Sequence, residues 1–364
     1  MRLVIIGNGP AGFELAKRVC DHHEVIIIDE AELPFYFKPM LSNYIAGFSR
    51  KEDLFQYDLT WYEKNNIHLL AGTRVNKIDF LAKKVFTADA KYNFDVLILA
   101  TGARPRELAV EGKEFLSMLR TFRDAENIKK QLETSDEVVI IGTGFIGLEV
   151  SGNLSKVGYK IKMIGKSENF LGLDQELSDI IKKQLEQNGV EFHLTANIEK
   201  IDETGILTDK GYVKGKVKIC AIGAVPNKEL AEASGINVDR GVLIDETFRT
   251  SAQDVYAIGD CSEFQGILCG TAKTASEHAK VLADILRGNE SSFDFGFRSS
   301  IFKFGDFPIS IIGETTQEGK WIDDNTKIFY QQSKIVGAVV LQDIRKAVEM
   351  EQGIKKQYSN PNGK

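Results

Sequence analysis

Two glycine-rich segments are the parts of this sequence best suited to chemistry. The first reads Gly7-Asn-Gly9-Pro-Ala-Gly12, and the second reads Gly142-Thr-Gly144-Phe-Ile-Gly147. In this spacing the first glycine permits a tight strand-to-helix turn, the second lets a pyrophosphate approach the backbone, and the third allows close helix–strand packing. The helix that follows offers free N–H groups and the positive end of its dipole to phosphates. The spacing therefore predicts two dinucleotide sites.

The two sites differ at the end of the next strand, where the first has an acidic residue and the second has none. A carboxylate at that place can hold a ribose hydroxyl, and Asp29, followed by Glu30, occupies it in the first copy. In the second copy the place is taken by Gly165, followed by Lys166. No carboxylate there repels a 2′-phosphate, and Lys166 could pair with one, which favours NADPH or dual use over strict NADH. Lys166 could equally be a solvated loop lysine.

Short apolar segments flank both loops and predict the strands that position them. Hydrophobic runs predict strands at Leu3–Ile6, Val25–Ile28, Val96–Gly102, Val138–Ile141, Lys160–Ile164, Val217–Gly223 and Asp254–Asp260. The apolar spacing from Thr271 to Arg287 predicts an amphipathic helix. Alternating residues after about position 295 predict a small sheet, and a helix is expected near Ile344 to Lys356.

The strand–loop–helix–strand pattern occurs twice, so the predicted fold class is α/β. We expect two Rossmann-like dinucleotide-binding domains and a small α+β C-terminal domain. Residues 1–107 and 232–295 are assigned to the first, discontinuous domain, residues 108–231 to the second, and residues 296–364 to the C-terminal domain. Residues 359–364 are expected to fray.

Composition excludes several classes of partner. The 364 residues include 46 Lys and Arg against 52 Asp and Glu, a formal net charge of −6. We therefore expect no nucleic-acid partner and no attraction to an acidic membrane. No apolar run approaches the roughly 20 residues of a membrane span, and the N-terminus enters a strand pattern without a signal-peptide region. The four cysteines form no CxxC, so we expect no metal site and a cytoplasmic location.

The chain has two predicted dinucleotide folds and no acid–base cluster for a further substrate. This combination suggests that electrons pass from one bound cofactor to the other. One nicotinamide cofactor would bring a hydride, and a second dinucleotide, expected to be a flavin, would receive it.

Four segments resemble, in order, the flavin-dependent pyridine-nucleotide oxidoreductases of the glutathione-reductase-like fold. They are GNGPAG from Gly7, LATGARP from Leu99, GTGFIGLE from Gly142 and TSAQDVYAIGDC from Thr250. Further segments resemble the NAD(P)H:rubredoxin oxidoreductase family, namely FYFKPMLSNYIAGF from Phe35, KVKICAIGAVPN from Lys216, SIFKFG from Ser300, EGKWIDDNTK from Glu318 and GAVVLQDIRKA from Gly337. The resemblance implies FAD on the first fold and NAD(P)H, as electron donor, on the second.

Together the motifs and the resemblance give the candidate site residues. On the FAD side these are Gly7, Gly9, Pro10, Ala11, Gly12, Asp29, Glu30, Lys38, Pro39, Val75, Ala100, Thr101, Gly102, Arg104, Arg120, Gly259, Asp260 and Ala272. On the NAD(P) side they are Gly142, Gly144, Phe145, Ile146, Gly147, Glu149, Lys166 and Gly223. By resemblance, Lys38 would approach the flavin ring and Glu149 the nicotinamide, and these two are the catalytic candidates.

Several of these roles have a structural alternative. Lys38 could be a surface lysine and Arg120 a surface ion-pair residue. Asp260 could simply cap the next element. Glu149 could merely favour the helix dipole, especially since Glu14 has the same place in the first copy.

The absence of a cysteine from the first-third segment around Tyr36–Ser42 points to the acceptor. Disulfide reductases and peroxidase-type relatives carry a redox cysteine beside the flavin, so here electrons would leave the flavin directly. The resemblance implies single-electron transfer to rubredoxin, with a role in oxidative stress. The alternatives are an H2O2-forming NAD(P)H oxidase, a reductase for another carrier such as ferredoxin, and a redox-sensing flavoprotein. Related oxidases carry a longer C-terminal domain that dimerises, so the resemblance implies a monomer for a chain with this shorter C-terminal region.

Basic residues near the C-terminus could steer an acidic carrier. The candidates are Arg298, Lys303, Lys334, Arg345 and Lys346. A solvated scatter of surface charges is the alternative.

Overall fold

The computed structural model describes residues 1–358, so residues 359–364, which are expected to fray, lie outside the described residues. The chain forms two compact units. Unit 1 comprises Met1–Phe37, Lys51–Arg104 and Val225–Phe295, and unit 2 comprises Lys38–Arg50, Pro105–Ala224 and the described residues from 296 on. The domain boundaries given above stay a prediction.

The strands are numbered along the chain. They are β1 (Arg2–Ile6), β2 (Glu24–Ile28), β3 (Ile67–Leu70), β4 (Lys77–Asp79), β5 (Lys84–Phe86), β6 (Lys91–Asn93), β7 (Val96–Leu99), β8 (Ala103–Pro105), β9 (Ser117–Met118), β10 (Glu137–Ile141), β11 (Lys160–Gly165), β12 (Glu191–Leu194), β13 (Ile198–Ile201), β14 (Gly205–Thr208), β15 (Gly211–Lys214), β16 (Val217–Cys220), β17 (Ala224–Pro226), β18 (Val242–Leu243), β19 (Val255–Ala257), β20 (Ser262–Phe264), β21 (Ile267–Leu268), β22 (Ser299–Phe304), β23 (Phe307–Gly313), β24 (Gly319–Asp323), β25 (Thr326–Gln331) and β26 (Lys334–Leu341).

The helices are numbered in the same way. They are α1 (Pro10–Val19), α2 (Leu41–Ile45), α3 (Lys51–Leu54), α4 (Leu59–Lys64), α5 (Phe122–Leu132), α6 (Phe145–Lys156), α7 (Gln175–Gln187), α8 (Glu229–Ala233), α9 (Ala272–Leu286) and α10 (Ile344–Tyr358), with 3₁₀ turns at Lys38–Met40, Lys113–Phe115 and Gly259–Cys261.

Unit 1 is built on a parallel sheet of order β19-β7-β1-β2-β3. Its central strands are continuous apolar runs, because both faces of a parallel sheet are covered. In β1, Leu3, Val4 and Ile5 are fully buried, and each contributes about 1.5–3 kcal/mol through burial. Helices α1 and α9 pack together over one face, where Leu15 and Leu282 belong to the same apolar cluster.

Unit 2 contains a second parallel sheet, of order β12-β11-β10-β16-β9. Its C-terminal part is an antiparallel sheet of order β22-β23-β26-β25-β24. Helix α10 covers one face of that sheet, where Ala347 and Ile354 pack with Ile312, Ile328 and Val340. The predicted fold class, with two Rossmann-like folds and a small α+β C-terminal domain, is confirmed.

The predicted helix at Thr271–Arg287 is α9, capped by the side chain of Thr271. Three predicted strands are shorter than expected. The strand expected at Val96–Gly102 ends at Leu99. The strand expected at Asp254–Asp260 covers only Val255–Ala257, because the chain turns into the 3₁₀ segment at Gly259. The strand expected at Val217–Gly223 ends at Cys220, and Gly223 has a φ of +101° that a strand does not accommodate.

No helix among residues 1–358 is both long enough and apolar enough to cross a membrane.

Candidate dinucleotide-binding sites

The first glycine loop is held in unit 1 by contacts that only glycine allows. Gly7 has a φ of +111°, and its N–H donates to the carbonyl of Ile28 at 2.8 Å. A Cβ on Gly7 would overlap the carbonyl oxygen of Ala100, and one on Gly12 would overlap that of Gly7. A Cβ on Gly9, in contrast, would meet no described atom within 4 Å. Packing within the protein therefore does not require glycine at position 9, whereas a phosphate lying against the backbone does.

Helix α1 begins directly at this loop. Gly9 is its N-cap, Pro10 its first residue, and no described side chain caps it or places an acid in its first turn. The N–H groups of Ala11 and Gly12 thus lack partners within the helix. The loop and the helix start together fit the pyrophosphate of a dinucleotide.

Asp29 follows β2 and holds the same loop. Its carboxylate accepts from the backbone N–H of Asn8 and, at 2.7 Å, from that of Ala31. Each oxygen keeps a lone pair that can accept from a ribose hydroxyl. Glu30 is exposed and lies 3.9 Å from Arg74. Asp29 is therefore both a structural residue of the loop and a possible ribose ligand.

Buried polar residues that the sequence did not reveal stabilise this loop. The Asn8 amide donates to the hydroxyl of Tyr62 at 3.0 Å, and the N–H of Phe35 donates to the same hydroxyl at 3.0 Å. Tyr62 is buried, and burial raises its pKa to about 12. Asn8 stands between two motif glycines, but nothing in the sequence points to Tyr62.

The residues that follow β7 belong to the same site, at the carboxyl end of a second strand. The Thr101 hydroxyl donates to the carbonyl of Asn227 at 2.7 Å, and the Asn227 amide donates to the carbonyl of Thr101 at 2.9 Å. Arg104 donates to Asn227 at 3.2 Å and pairs with Glu229 at 2.7 Å. Ala100, Thr101 and Gly102 thus lie at the carboxyl edge of the sheet, where Asn227 holds the backbone of Thr101 and Gly102.

The third strand end carries Gly259 and Asp260. The N–H of Gly259 donates to Nδ1 of His278 at 3.3 Å. His278 is buried against Phe248, Phe293 and Phe295, with ring centroids 4.9, 4.5 and 5.4 Å away. Burial lowers the pKa of His278 to about 4, so the ring is neutral at pH 7. His278 was not predicted from the sequence.

The remaining FAD candidates are distributed over both units. Ala272 is the first residue of α9 in unit 1, and Val75 is buried in the core of unit 1. Lys38 and Pro39 form a 3₁₀ turn in unit 2. Arg120, also in unit 2, donates its backbone N–H to Asp124 at 3.1 Å. Contacts of these residues with FAD stay predictions.

The second glycine loop repeats the first within unit 2. Gly142 has a φ of +108°, and its N–H donates to Ile164 at 2.8 Å. A Cβ on Gly142 would overlap the carbonyl of Ala221, and one on Gly147 would overlap that of Gly142. A Cβ on Gly144 would meet no described atom within 4 Å. This loop fits a second pyrophosphate for the same reason.

A side chain at the end of β11 would press on two neighbouring methyl groups. A Cβ on Gly165 would lie 2.8 Å from Cγ2 of Thr143 and 3.0 Å from Cδ2 of Leu194. Lys166 is exposed and forms no ion pair with any residue that the structure describes. The positions after β11 that correspond to Asp29 and Glu30 of the first copy thus carry no carboxylate. Gly223, which follows β16, accepts the N–H of Arg106 at 2.9 Å.

Glu149 lies on α6, beside the exposed side chains of Phe145 and Ile146. Burial raises the pKa of Glu149 to about 7. Glu14, at the same place in the first copy, instead pairs with Arg18 at 2.6 Å. The two glutamates thus have different environments, and a role in the helix dipole alone does not account for the burial of Glu149.

All four cysteines are free. Burial is the largest cause that raises the pKa of Cys20, Cys220, Cys261 and Cys269. The groups are therefore neutral thiols at pH 7, and a thiol is a poor nucleophile.

Comparison with known proteins gives the family. The sequence profile described as "Pyridine nucleotide-disulphide oxidoreductase" matches residues 1–281. The chain belongs to this family. A second profile, "NAD(P)H:rubredoxin oxidoreductase, C-terminal domain", matches residues 298–347. Members of this family bind FAD and use NAD(P)H as electron donor.

The relatives of this chain differ from one another in how much of their length it covers. "Nitrite reductase [NAD(P)H]" of Bacillus subtilis (strain 168) is 30% identical over 94% of this chain, which spans only 46% of that relative. "Nitric oxide reductase FlRd-NAD(+) reductase" of Escherichia coli (strain 55989 / EAEC) is 29% identical over 88% of each chain. The crystal structure of NADH:rubredoxin oxidoreductase from Clostridium acetobutylicum has 25% identity and a TM-score of 0.83, covering 98% of this chain and 95% of that one.

Proposed function

We propose that the chain takes a hydride from NAD(P)H onto FAD and passes the electrons singly to rubredoxin. The observation that carries this proposal is the pair of glycine loops, each with room for a pyrophosphate, without an ionised thiol at either. The C-terminal profile and the rubredoxin-reducing relatives support the choice of acceptor. One NAD(P)H then reduces two rubredoxin molecules, leaving NAD(P)⁺ and one proton.

The residues of unit 1 would hold and orient FAD. Gly9 and the start of α1 would contact its pyrophosphate, Asp29 the ribose, and Asp260 the ribityl side. FAD, when bound, accepts two electrons as hydride and releases them one at a time. Lys38 and Ala272 would lie at the flavin ring, where positive charge and a helix start favour added negative charge.

The residues of unit 2 would hold the donor. Gly144 and the start of α6 would bind its pyrophosphate, and Lys166 a 2′-phosphate. Above its pKa of about 7, the Glu149 carboxylate would accept a hydrogen bond from the carboxamide of the nicotinamide and so orient the ring.

An H2O2-forming NAD(P)H oxidase is the competing function, because the same flavin can reduce oxygen. Stopped-flow spectrophotometry under anaerobic conditions separates the two. We expect NAD(P)H to bleach the flavin absorbance, and rubredoxin to restore it much faster than air does. If air reoxidised the flavin faster than rubredoxin does, the chain would be an oxidase. If ferredoxin reoxidised it faster than rubredoxin does, ferredoxin would be the carrier.

Alkylation of the cysteines should leave turnover unchanged. Because burial keeps all four thiols neutral, none is expected to accept the hydride equivalent. We expect iodoacetamide-treated enzyme to reduce rubredoxin at the rate of untreated enzyme. Loss of turnover in parallel with modification of Cys261 or Cys269 would contradict direct transfer from the flavin.

The Lys166→Glu substitution should discriminate between the two donors. A carboxylate close to a 2′-phosphate repels it, so we expect KM for NADPH to rise about tenfold and KM for NADH to change less than twofold. Lys210→Glu is a matched control, since Lys210 pairs with backbone and hydroxyl oxygens near Leu194 instead. Equal changes in the two KM values would rule out phosphate pairing.

We further propose that the protein is a cytoplasmic monomer and that Lys334 and Arg345 steer the acidic carrier. Both side chains are exposed, and neither forms an ion pair with a described residue. Two other basic candidates are less available, since Lys303 pairs with Asp306 at 3.4 Å and Lys346 pairs with Asp323. Sedimentation velocity tests the monomer.

A further inference from the structure

The hydroxyl of Tyr62 joins two segments of unit 1 that are far apart in the sequence. Tyr62 lies on α4 and is 1% exposed. Its oxygen accepts a hydrogen bond from the side-chain amide of Asn8 at 3.0 Å and another from the backbone N–H of Phe35 at 3.0 Å. A hydroxyl oxygen has two lone pairs, so donors from other parts of the chain use both of them. The glycine loop and the residues near Phe35 thus share one buried acceptor.

Asn8 is fixed on two sides. It stands between Gly7 and Gly9 and is 7% exposed. Its backbone N–H donates to the carboxylate of Asp29, and its side chain donates to Tyr62. A pyrophosphate would meet the backbone of this same loop. The arrangement of the loop therefore depends on two side chains that lie outside the glycine motif.

Phe35 is held by its ring as well as by its backbone. The ring stacks on that of Phe13 on α1, with centroids 4.2 Å apart and an interplanar angle of 3°. Such aromatic pairs contribute free energy beyond the area that they bury. Phe35 begins a segment, residues 35–37, that continues directly into the turn at Lys38. The 35–37 segment is thus anchored to α1 and, through Tyr62, to the glycine loop.

The Tyr62 hydroxyl is neutral at pH 7. Burial raises its pKa to about 12, because desolvation disfavours the phenolate. A neutral hydroxyl can hold the loop without placing a negative charge near the phosphates, whereas a carboxylate at the same place would repel them. This chemistry suits a group that supports an anion-binding loop.

We propose that Tyr62 is a positioning residue for FAD, whose hydroxyl holds the glycine loop and the 35–37 segment in one arrangement before the cofactor binds. The inference rests on the assignment of FAD to the first loop. Because Tyr62 is buried, it acts through Asn8 and Phe35 and is not itself a ligand. A site that is already ordered loses less conformational entropy on binding, so the hydroxyl strengthens FAD binding.

The Tyr62→Phe substitution removes the hydroxyl and keeps the ring, so that the Asn8 amide and the Phe35 N–H lose their acceptor. Tyr57→Phe is the matched control. The Tyr57 ring belongs to the same aromatic cluster, but its hydroxyl accepts from Lys17 at 3.1 Å on the exposed side. Asn8→Ala is an independent variant, since it breaks the same hydrogen bond from the loop side and leaves Tyr62 in place.

The first measurement is the dissociation constant of FAD, from titration of the apoprotein. We expect Tyr62→Phe and Asn8→Ala each to raise it about tenfold, and Tyr57→Phe to change it less than about twofold. The double variant should raise it far less than the roughly hundredfold that independent effects would give, because both substitutions remove one shared bond. A wild-type dissociation constant in Tyr62→Phe, or a hundredfold change in the double variant, would overturn the proposal.

The second measurement is hydrogen exchange of the apoprotein, followed by mass spectrometry of peptides that cover residues 7–12 and 30–37. It separates the ordering of these segments from a general loss of stability. In Tyr62→Phe we expect both segments to exchange about tenfold faster and the strands of the same sheet to exchange as in the wild type. Tyr57→Phe should match the wild type throughout. Equal acceleration across all of unit 1 would mean that the hydroxyl only stabilises the fold, and would contradict the proposal.

Failure of the proposed function can be told apart from failure of this inference. If FAD-loaded wild-type enzyme were reduced by neither nicotinamide cofactor, the electron-transfer function would be wrong. The FAD dissociation constants and the hydrogen exchange of the apoprotein would still decide the role of Tyr62.

Discussion

Replacing Gly144 by alanine is expected to raise KM for NAD(P)H at least tenfold without changing the unfolding temperature or the flavin content. Gly144 has a φ of −86°, which alanine adopts freely. Its Cβ would meet no described atom within 4 Å, so the folded chain accepts it. The methyl group would instead occupy the space where the pyrophosphate meets the backbone. A tenfold loss corresponds to about 1.4 kcal/mol.

The same substitution in the first loop is the matched control. Gly9→Ala also adds a Cβ that meets no described atom, but it should reduce FAD content and leave KM for NAD(P)H unchanged in molecules that retain flavin. Gly147→Ala should instead destabilise unit 2, because its Cβ would overlap the carbonyl of Gly142. If Gly9→Ala and Gly144→Ala exchanged their effects, the assignment of FAD to the first fold would be wrong. A wild-type KM for NAD(P)H in Gly144→Ala would contradict a pyrophosphate site at the second loop.

The Asp260→Asn variant should purify with little flavin. Asp260 follows β19 at the carboxyl edge of the sheet of unit 1, next to the turn that His278 holds. A hydrogen bond to a charged group contributes about 1.5–3 kcal/mol. Its loss should weaken FAD binding by roughly ten- to hundredfold. The measurement is the ratio of flavin absorbance to protein absorbance, followed by FAD titration of the apoprotein.

Asp254→Asn is the control for this variant. Asp254 precedes the same strand, at the opposite edge of the sheet, and pairs with Lys83 at 2.7 Å. Its φ of +60° is one that asparagine tolerates. Asp254→Asn should remain fully yellow. A fully yellow Asp260→Asn preparation would show that Asp260 is a structural residue of the turn.

The glycine loops, their strands and the helix at α9 could be predicted from the sequence because they depend on local features. A turn with a φ near +110° at Gly7 and Gly142 requires glycine, and the apolar runs beside each loop specify parallel strands. These features repeat at the same spacing, so the fold class followed from the pattern alone.

Contacts between distant segments could not be predicted in this way. Asn8 and Tyr62 are 54 residues apart, and Thr101 and Asn227 are 126 apart. Glu14 and Glu149 occupy equivalent motif positions, yet only Glu149 is covered by a hairpin from the C-terminal part. The burial that raises its pKa therefore depends on residues that the motif does not contain.

The buried imidazole of His278 makes unit 1 sensitive to acid. Its pKa of about 4 lies below its usual value of 6.5, so between these pH values the unfolded chain takes up a proton that the folded unit does not. Acidification through this range therefore lowers the free energy of unfolding, by up to about 1.4 kcal/mol per pH unit. The proton that finally enters the ring converts Nδ1 from an acceptor into a donor. The hydrogen bond from the Gly259 N–H, which holds the turn beside Asp260, is then lost.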